Sequence, residues 1–361
     1  MAIKFLGLDR CFKQHQDALT SIYCDVGLSG HVVGGKHVAD FENNCAEIAD
    51  RKYAISTANA SDGLFFTLSS LGITTNDEVL TTAYSFHATA ESILRTNATP
   101  VFVDVTDDYL LDLSHAEKLI TNNTKAIIIV NLFGNCFNFK KVQDFAKKHN
   151  ILVIEDAAQS FMSSWNNIPS GKLGIASVYS FAPSKNVPGF SHGGCVLTDD
   201  ENLYKHILAQ KLHGKQYNKH TMVGYNSIIS SFEAAQLNFF FTLKEEWQQR
   251  REYIAKRYVN GLINLVKLPH TNNNVKHCWH KFVINTIDRD ELAKFLRINN
   301  IEYGIHYNTI SPNELIFNNS LTYTNASKLS NTCLSLPMYP ELENYEVDYI
   351  IKTIQKFFTK S

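Results

Sequence analysis

This sequence predicts an α/β architecture: a large domain with a mostly parallel sheet flanked by helices, followed by a smaller C-terminal α/β domain. Three observations carry that expectation. Between about residues 50 and 200, short apolar runs alternate with amphipathic segments: LFFTLSSLG, EVLTTAYSF, ATAESILRT, PVFVDV, AIIIVNLFG, VQDFAKKHN and ILVIEDAA. Strands that alternate with helices pair in parallel and are covered on both faces. The stretch from 232 to 262, FEAAQLNFFFTLKEEWQQRREYIAKRYVNGL, keeps helical periodicity and becomes strongly charged, as a helix joining two lobes does. Beyond it, HKFVINT, RDELAKFLRINN and IEYGIHYN read as strand, helix and strand ahead of the amphipathic tail ENYEVDYIIKTIQKFF. The expected domains are 1–245, with an N-terminal helix or arm, and 246–361.

A chain of 361 residues can bury a large core, and its 44% hydrophobic and 19% charged composition is that of a folded globular protein. Lys+Arg 34 against Asp+Glu 35 gives a formal charge of -1, which supplies no basic field for nucleic acid and no cationic stripe for an anionic membrane. The N-terminal apolar stretch is too short for a signal peptide, and no later segment stays apolar long enough to cross a bilayer, so we expect a cytoplasmic protein. Cys11, Cys24, Cys45, Cys136, Cys195, Cys278 and Cys333 are scattered without a CxxC pair, as reduced and mostly buried thiols are. The 14 histidines show no zinc-ligand spacing with cysteine, and we expect no metal.

The run ILVIEDAAQSF ends a buried strand on two acids, Glu155 and Asp156, at the strand end where ligands gather in such sheets. In SVYSFAPSKNVPGFSHGG an apolar run gives way to Ser180, a proline-containing turn, Lys185 and several glycines. A loop lysine is usually a solvated surface residue, and an Asp after a strand often caps the next helix. The pair together suggests more. A lysine amine condenses with the aldehyde of pyridoxal phosphate, and that cofactor's ring nitrogen stays protonated only beside an anion, here Asp156. Its phosphate needs unsatisfied amides at a helix start, which NASDGLFFTL offers at Ala60 and Ser61, although an ordinary capped helix reads the same way. The α/β pattern alone also admits a nicotinamide-dependent dehydrogenase, but no glycine fingerprint follows the first strand.

Taken in order, GKHVADFENNCAEIADRKYAIST, NASDGL, NDEVLTTAYSFHATAESILRTNATPVFVDV, KAIIIVNLFG, IEDAAQSF, YSFAPSKN, GYNS, WHKFVI, IHYN and LSLPMYP resemble the DegT/DnrJ/EryC1/StrS sugar aminotransferases over nearly the whole chain. The resemblance implies the aspartate aminotransferase-like fold, fold type I of the pyridoxal-phosphate enzymes, and a homodimer with shared active sites. By position, it implies that Lys185 is the Schiff-base lysine, Asp156 the partner of the ring nitrogen, and Gln159 a neighbour of the ring's 3-hydroxyl. It also implies that Ala60, Ser61 and Ser180 hold the phosphate, Phe86 of SFHAT stacks on the ring, and Asn226 reaches the phosphate from the neighbouring subunit. Taken alone, Phe86 reads as core and Asn226 as a turn residue.

The implied reaction moves an amino group from L-glutamate, through pyridoxamine phosphate, to a nucleoside-diphosphate-linked keto-deoxy sugar, with Lys185 both anchoring the cofactor and carrying a proton. HTMVGYNS, with His220 ahead of Gly224 and Ser227 after Asn226, resembles members acting on 3-keto sugars, so a 3-keto-6-deoxyhexose is expected, with a 4-keto sugar or a non-catalytic, pyridoxal-phosphate-binding regulator as alternatives. His306 and Tyr307 of IHYN, with His220, are the expected substrate contacts, and a surface polysaccharide such as an O-antigen, or a glycosylated metabolite, is the expected use of the product. The chain departs from the family pattern at Ile228, where an Arg is common, at Glu233, where a Gln is common, and at His192 before Gly193 and Gly194; Asn308 ends the segment that the family writes HYP.

Overall fold

Short β-branched and apolar runs build the central sheet. In the computed structural model, which describes residues 2–317, 319 and 321–359, the strands are β1 (Tyr53–Thr57), β2 (Glu78–Thr82), β3 (Thr99–Val103), β4 (Thr124–Val130), β5 (Leu152–Asp156), β6 (Ala176–Ser180) and β7 (Gly194–Thr198). They lie in the order β1-β7-β6-β5-β4-β2-β3. From β3 through β6 neighbouring strands run parallel, and β7 is antiparallel to both β6 and β1. A mostly parallel sheet needs both faces covered. The helix Ala60–Ser70 packs Leu64, Phe66 and Leu68 with Ile128, Ile154 and Val196 on one side, while Phe41, Phe240 and Phe241 join Cys195 and Leu197 in another core. Because every parallel strand starts at the same edge, Val130, Asp156 and Ser180 end together at the opposite one.

The helix Ser231–Leu262 has Ser230 as its N-cap, its hydroxyl accepting from the Glu233 amide at 3.1 Å. Its first half contributes Ala234, Leu237, Phe240 and Trp247 to the core against the sheet. Its second half contributes Ile254, Tyr258 and Leu262 to a separate core with Ile284, Leu292, Leu334 and Ile350. That core also holds Ile3, which bridges Ile301. Its strands, β8 (Phe282–Asn285) and β9 (Cys333–Leu336), are antiparallel.

One sequence expectation is corrected here. HKFVINT forms β8, but IEYGIHYN is no regular strand; β8 pairs with Cys333–Leu336 instead. After Gly304 bridges Ser335, the chain turns toward the sheet edge, and the Tyr307 amide donates to the Tyr84 hydroxyl at 2.9 Å rather than to a strand carbonyl. A side chain has replaced the ladder partner.

All seven cysteines are unpaired and all but Cys24 are buried. Among the described residues, no helix is long and apolar enough to cross a membrane, and no group of three or more His, Cys, Asp or Glu is placed to hold a metal ion.

Candidate active site

Strand parity separates the two acids of ILVIED. Successive side chains of a strand point to opposite faces, so Glu155 and Asp156 meet different surroundings. Glu155 is fully buried and accepts five hydrogen bonds: Asn131 Nδ2 at 2.6 Å, Ser170 Oγ at 2.7 Å, Ser177 Oγ at 2.9 Å, and the Gly171 and Leu173 amides, both at 3.0 Å. It ties the 170–173 turn to the sheet. Asp156 opens instead onto a cavity of about 630 Å³ at the carboxyl edge of the sheet.

The Asp156 carboxylate is placed by two donors, Thr89 Oγ1 at 2.7 Å on Oδ2 and the Ala158 amide at 3.1 Å on Oδ1. Burial pushes its pKa above the usual carboxylate range, against the lowering by Thr89, the Ala158 amide and the charge of Lys185. Lys185 shares the cavity wall. Burial lowers its ammonium pKa to about 8, with Asp156 pulling the other way. The lysine loop is held at both ends. The Lys185 amide donates to the Ala182 carbonyl at 2.9 Å, and Asn186 Nδ2 donates to the Cys278 carbonyl at 2.7 Å.

The helix Ala60–Ser70 opens on the same cavity. Asn59 is its N-cap, accepting from the Asp62 amide at 2.8 Å, which leaves the Ala60 and Ser61 amides facing a ligand site. Gly194 permits this approach, because a Cβ there would collide with the Asn59 carbonyl and the Ala60 amide. Ser180 stands on the wall at the end of β6. Gln159 spans the cavity floor, accepting from the Phe133 amide at 3.1 Å and donating to the Tyr307 hydroxyl at 3.0 Å. Phe86 is 48% exposed, a large ring left open on the cavity wall.

His306 and Tyr307 also line the cavity, fixed by Tyr84, whose hydroxyl donates to the His306 carbonyl at 2.6 Å. His306 Nδ1 lies 2.8 Å from Ser335 Oγ. Burial, then Lys281 and Lys185, hold His306 down to about 3, so it is neutral at physiological pH. Two expected residues lie elsewhere. Asn226 is exposed and bridges Leu212, off the wall of its own chain's cavity. His220 sits exposed on the hairpin Lys215–Gln216/Lys219–His220, its Nδ1 2.8 Å from the His213 carbonyl, and it too lies off the wall of its own chain's cavity.

The departures acquire local explanations. Glu233 accepts from the Ser191 amide at 3.3 Å and holds the loop beyond Lys185; Gly189 is needed there, since a Cβ would strike the Glu233 carboxylate and the Phe181 carbonyl. His192 lines the cavity mouth, and Ile228 is half-buried away from it. Ser227 donates to Asp62 Oδ2 at 2.7 Å and accepts from the Ala58 amide at 3.1 Å, so it braces the helix start without lining the cavity.

Sequence reasoning assigned no role to Asn59, Tyr84, Thr89, His280 or Lys281. Each stood inside a quoted motif, NASDGL, TTAYSFHAT or WHKFVI, but nothing local says where a side chain will meet another element.

A donor set comprising a lysine amine of lowered pKa, a facing carboxylate, free helix-start amides and nearby hydroxyls fits pyridoxal phosphate. The model of the DegT/DnrJ/EryC1/StrS aminotransferase family matches residues 17–355. The chain belongs to this family. It is 33% identical, over an alignment of length 369, to a pleiotropic regulatory protein of Geobacillus stearothermophilus, covering 99% of each chain. It is 32% identical to a UDP-N-acetyl-3-dehydro-alpha-D-glucosamine 3-aminotransferase of Acidithiobacillus ferrooxidans, covering 87% of each. Among solved structures, S. venezuelae DesV in complex with a ketimine intermediate superposes with a TM-score of 0.96 at 27% identity, covering 99% of this chain and 98% of that one.

Proposed function

We propose that this family member is a pyridoxal-phosphate-dependent aminotransferase that transfers an amino group from L-glutamate to a nucleoside-diphosphate-linked keto-deoxy sugar, with a 3-keto-6-deoxyhexose favoured. The observation that carries the reading is Asp156 and Lys185 facing one cavity whose rim is a helix start with free amides. When bound, pyridoxal phosphate supplies an aldehyde carbon and an electron-withdrawing ring. The chain's residues do the rest. Ala60, Ser61 and Ser180 hold the phosphate, Asp156 accepts a hydrogen bond from the ring nitrogen, Gln159 lies beside the 3-hydroxyl, and Phe86 covers a ring face. Lys185 Nζ, lowered to about 8, is basic enough to take a proton from the donor α-carbon and neutral often enough to do so near pH 8. His306 and Tyr307 meet the substrates.

A homodimer gives Asn226 a use that its own chain does not, since it can then reach the phosphate of a second copy. Exposed apolar residues near it support this: Val223 is 82% exposed, and Val33, which bridges Ser230, is 59% exposed. We assign 1–245 to the cofactor-binding domain and 246–361 to the small domain, place the enzyme in the cytoplasm, and assign its product to a surface polysaccharide such as an O-antigen.

Purified protein incubated with pyridoxal phosphate should show a visible band that L-glutamate bleaches, and mass spectrometry with a panel of keto sugar nucleotides should find one gaining an amine. Turnover by Lys185→Ala would refute the assignment. The relative called a pleiotropic regulatory protein favours a second reading, a regulator that binds the cofactor without turnover; a visible band that no amino donor alters would establish it.

A further inference from the structure

Lys281 is the unexplained charge of the cavity. It is 6% exposed, yet it lines the same cavity as Lys185, Asp156, His306 and Tyr307. It immediately precedes β8, where Phe282 is buried against Tyr258, with ring centroids 5.0 Å apart. Among the described residues no carboxylate pairs with its ammonium group. Its nearest compensation is the Phe5 ring, with Nζ 4.9 Å from the centroid. The charges felt at this position are those of Lys185 and Arg251, both repulsive. Of the cavity's three acids, Asp62 is bound by Arg95, Ser227 and its helix cap, Asp156 by Thr89 and the Ala158 amide, and Glu91 faces His87 Nε2 at 3.7 Å; none of them pairs with Lys281. A buried cation without a counter-ion is costly to keep unless a ligand supplies one.

We propose that Lys281 is the carboxylate-recognising residue of this cavity, forming an ion pair with a carboxylate of the bound small-molecule substrate. The proposal rests on the aminotransferase reading above and deepens it by naming a specificity contact. Two sources carry that chemistry: the carboxylates of the amino donor, which agree with a 6-deoxyhexose acceptor, and a carboxylate on the sugar, which would replace that acceptor by a keto uronic acid within the same aminotransferase reading. In the ligand-free protein burial lowers Lys281 to about 7, so near pH 8 it is mostly neutral and an arriving carboxylate draws a proton onto it. Carboxylate binding is therefore accompanied by proton uptake.

The test is isothermal titration of the purified protein, loaded with pyridoxal phosphate, at pH 8 in two buffers of different ionisation enthalpy. Glutarate serves as the probe of the donor arm, and glucuronate compared with glucose as the probe of the sugar arm. We expect one of the two carboxylates to bind with proton uptake, Lys281→Met to weaken that carboxylate at least ten-fold and abolish the uptake, and Lys281→Arg to retain binding. The arm that responds identifies the source. Binding of neither carboxylate to the wild type, or unchanged affinity and uptake in Lys281→Met, overturns the proposal. The visible band of the loaded protein reports separately on the aminotransferase reading. If that band never forms, that reading fails, and the same titrations on the unloaded protein decide for or against Lys281.

Discussion

Thr89 Oγ1 donates to Asp156 Oδ2 at 2.7 Å, joining the first turn of the helix Ala88–Leu94 to the end of β5. The bond fixes the direction of a carboxylate that burial would otherwise drive toward its neutral form. Thr89→Val therefore raises the Asp156 pKa further. In the role proposed for it, Asp156 is ionised to hold a protonated ring nitrogen, so we expect the acid limb of the pH–rate profile to move to higher pH, with kcat down about ten-fold. Asp156→Asn should cost at least about a hundred-fold at every pH, because no ionisation restores the charge. An unmoved acid limb in Thr89→Val would contradict the assignment.

Lys185 makes a second pH prediction. Only the neutral amine adds to an aldehyde, and burial lowers the ammonium to about 8. The rate at which the ligand-free protein captures pyridoxal phosphate should rise with pH through about 8 and level off above it. Stopped-flow absorbance measures this directly, and a midpoint near 10 would mean that the lysine is not desolvated.

Lys281 bears on stability as well as on binding. Its folded pKa, about 7, lies below the ordinary 10.5, so the unfolded chain binds more protons between those values and stability rises with pH across the window. The cost of the buried charge is complete below about 7 and gone above about 10.5. Lys281→Met should accordingly stabilise the ligand-free protein at pH 6 by roughly 2–4 kcal/mol, with the difference vanishing toward pH 10. Urea midpoints at the two pH values check the sign.

Glu155 should behave as structure rather than chemistry. Glu155→Ala removes the acceptor of five hydrogen bonds and orphans buried donors at Asn131, Ser170, Ser177, Gly171 and Leu173. Left unsatisfied, such groups cost about 1–3 kcal/mol each before relaxation and water entry, so a loss of at least ~3 kcal/mol is expected. Denaturant unfolding would measure it.

Ser227→Ala tests a tempting shortcut. A serine after Asn226 resembles the 3-keto enzymes, but its hydroxyl is spent on Asp62 and Ala58 and lies off the cavity wall. The substitution should weaken cofactor retention a few-fold through the helix start while leaving the aminated carbon unchanged, as product NMR would show.

The α/β alternation was legible because parallel strands buried on both faces are written as near-continuous apolar runs, as in Ala126–Val130. The long helix was equally plain, starting at Ser231 where periodicity placed it at 232. IEYGIHYN was misread as a strand because its partner, the Tyr84 hydroxyl, lies more than two hundred residues earlier in the chain.

By itself, then, the sequence determined the sheet, the connecting helix and the candidates Lys185 and Asp156, since periodicity, turn chemistry and residue type are local properties that a linear reading preserves. Only the tertiary structure decided that Glu155 serves the scaffold while Asp156 faces the cavity, that Thr89 and Tyr84 set the site's geometry, that His220 and Asn226 lie off their own chain's cavity, and that Lys281 is buried within it without a paired acid. Those outcomes depend on which distant segments meet, and the electrostatic character of a side chain is fixed by what it meets.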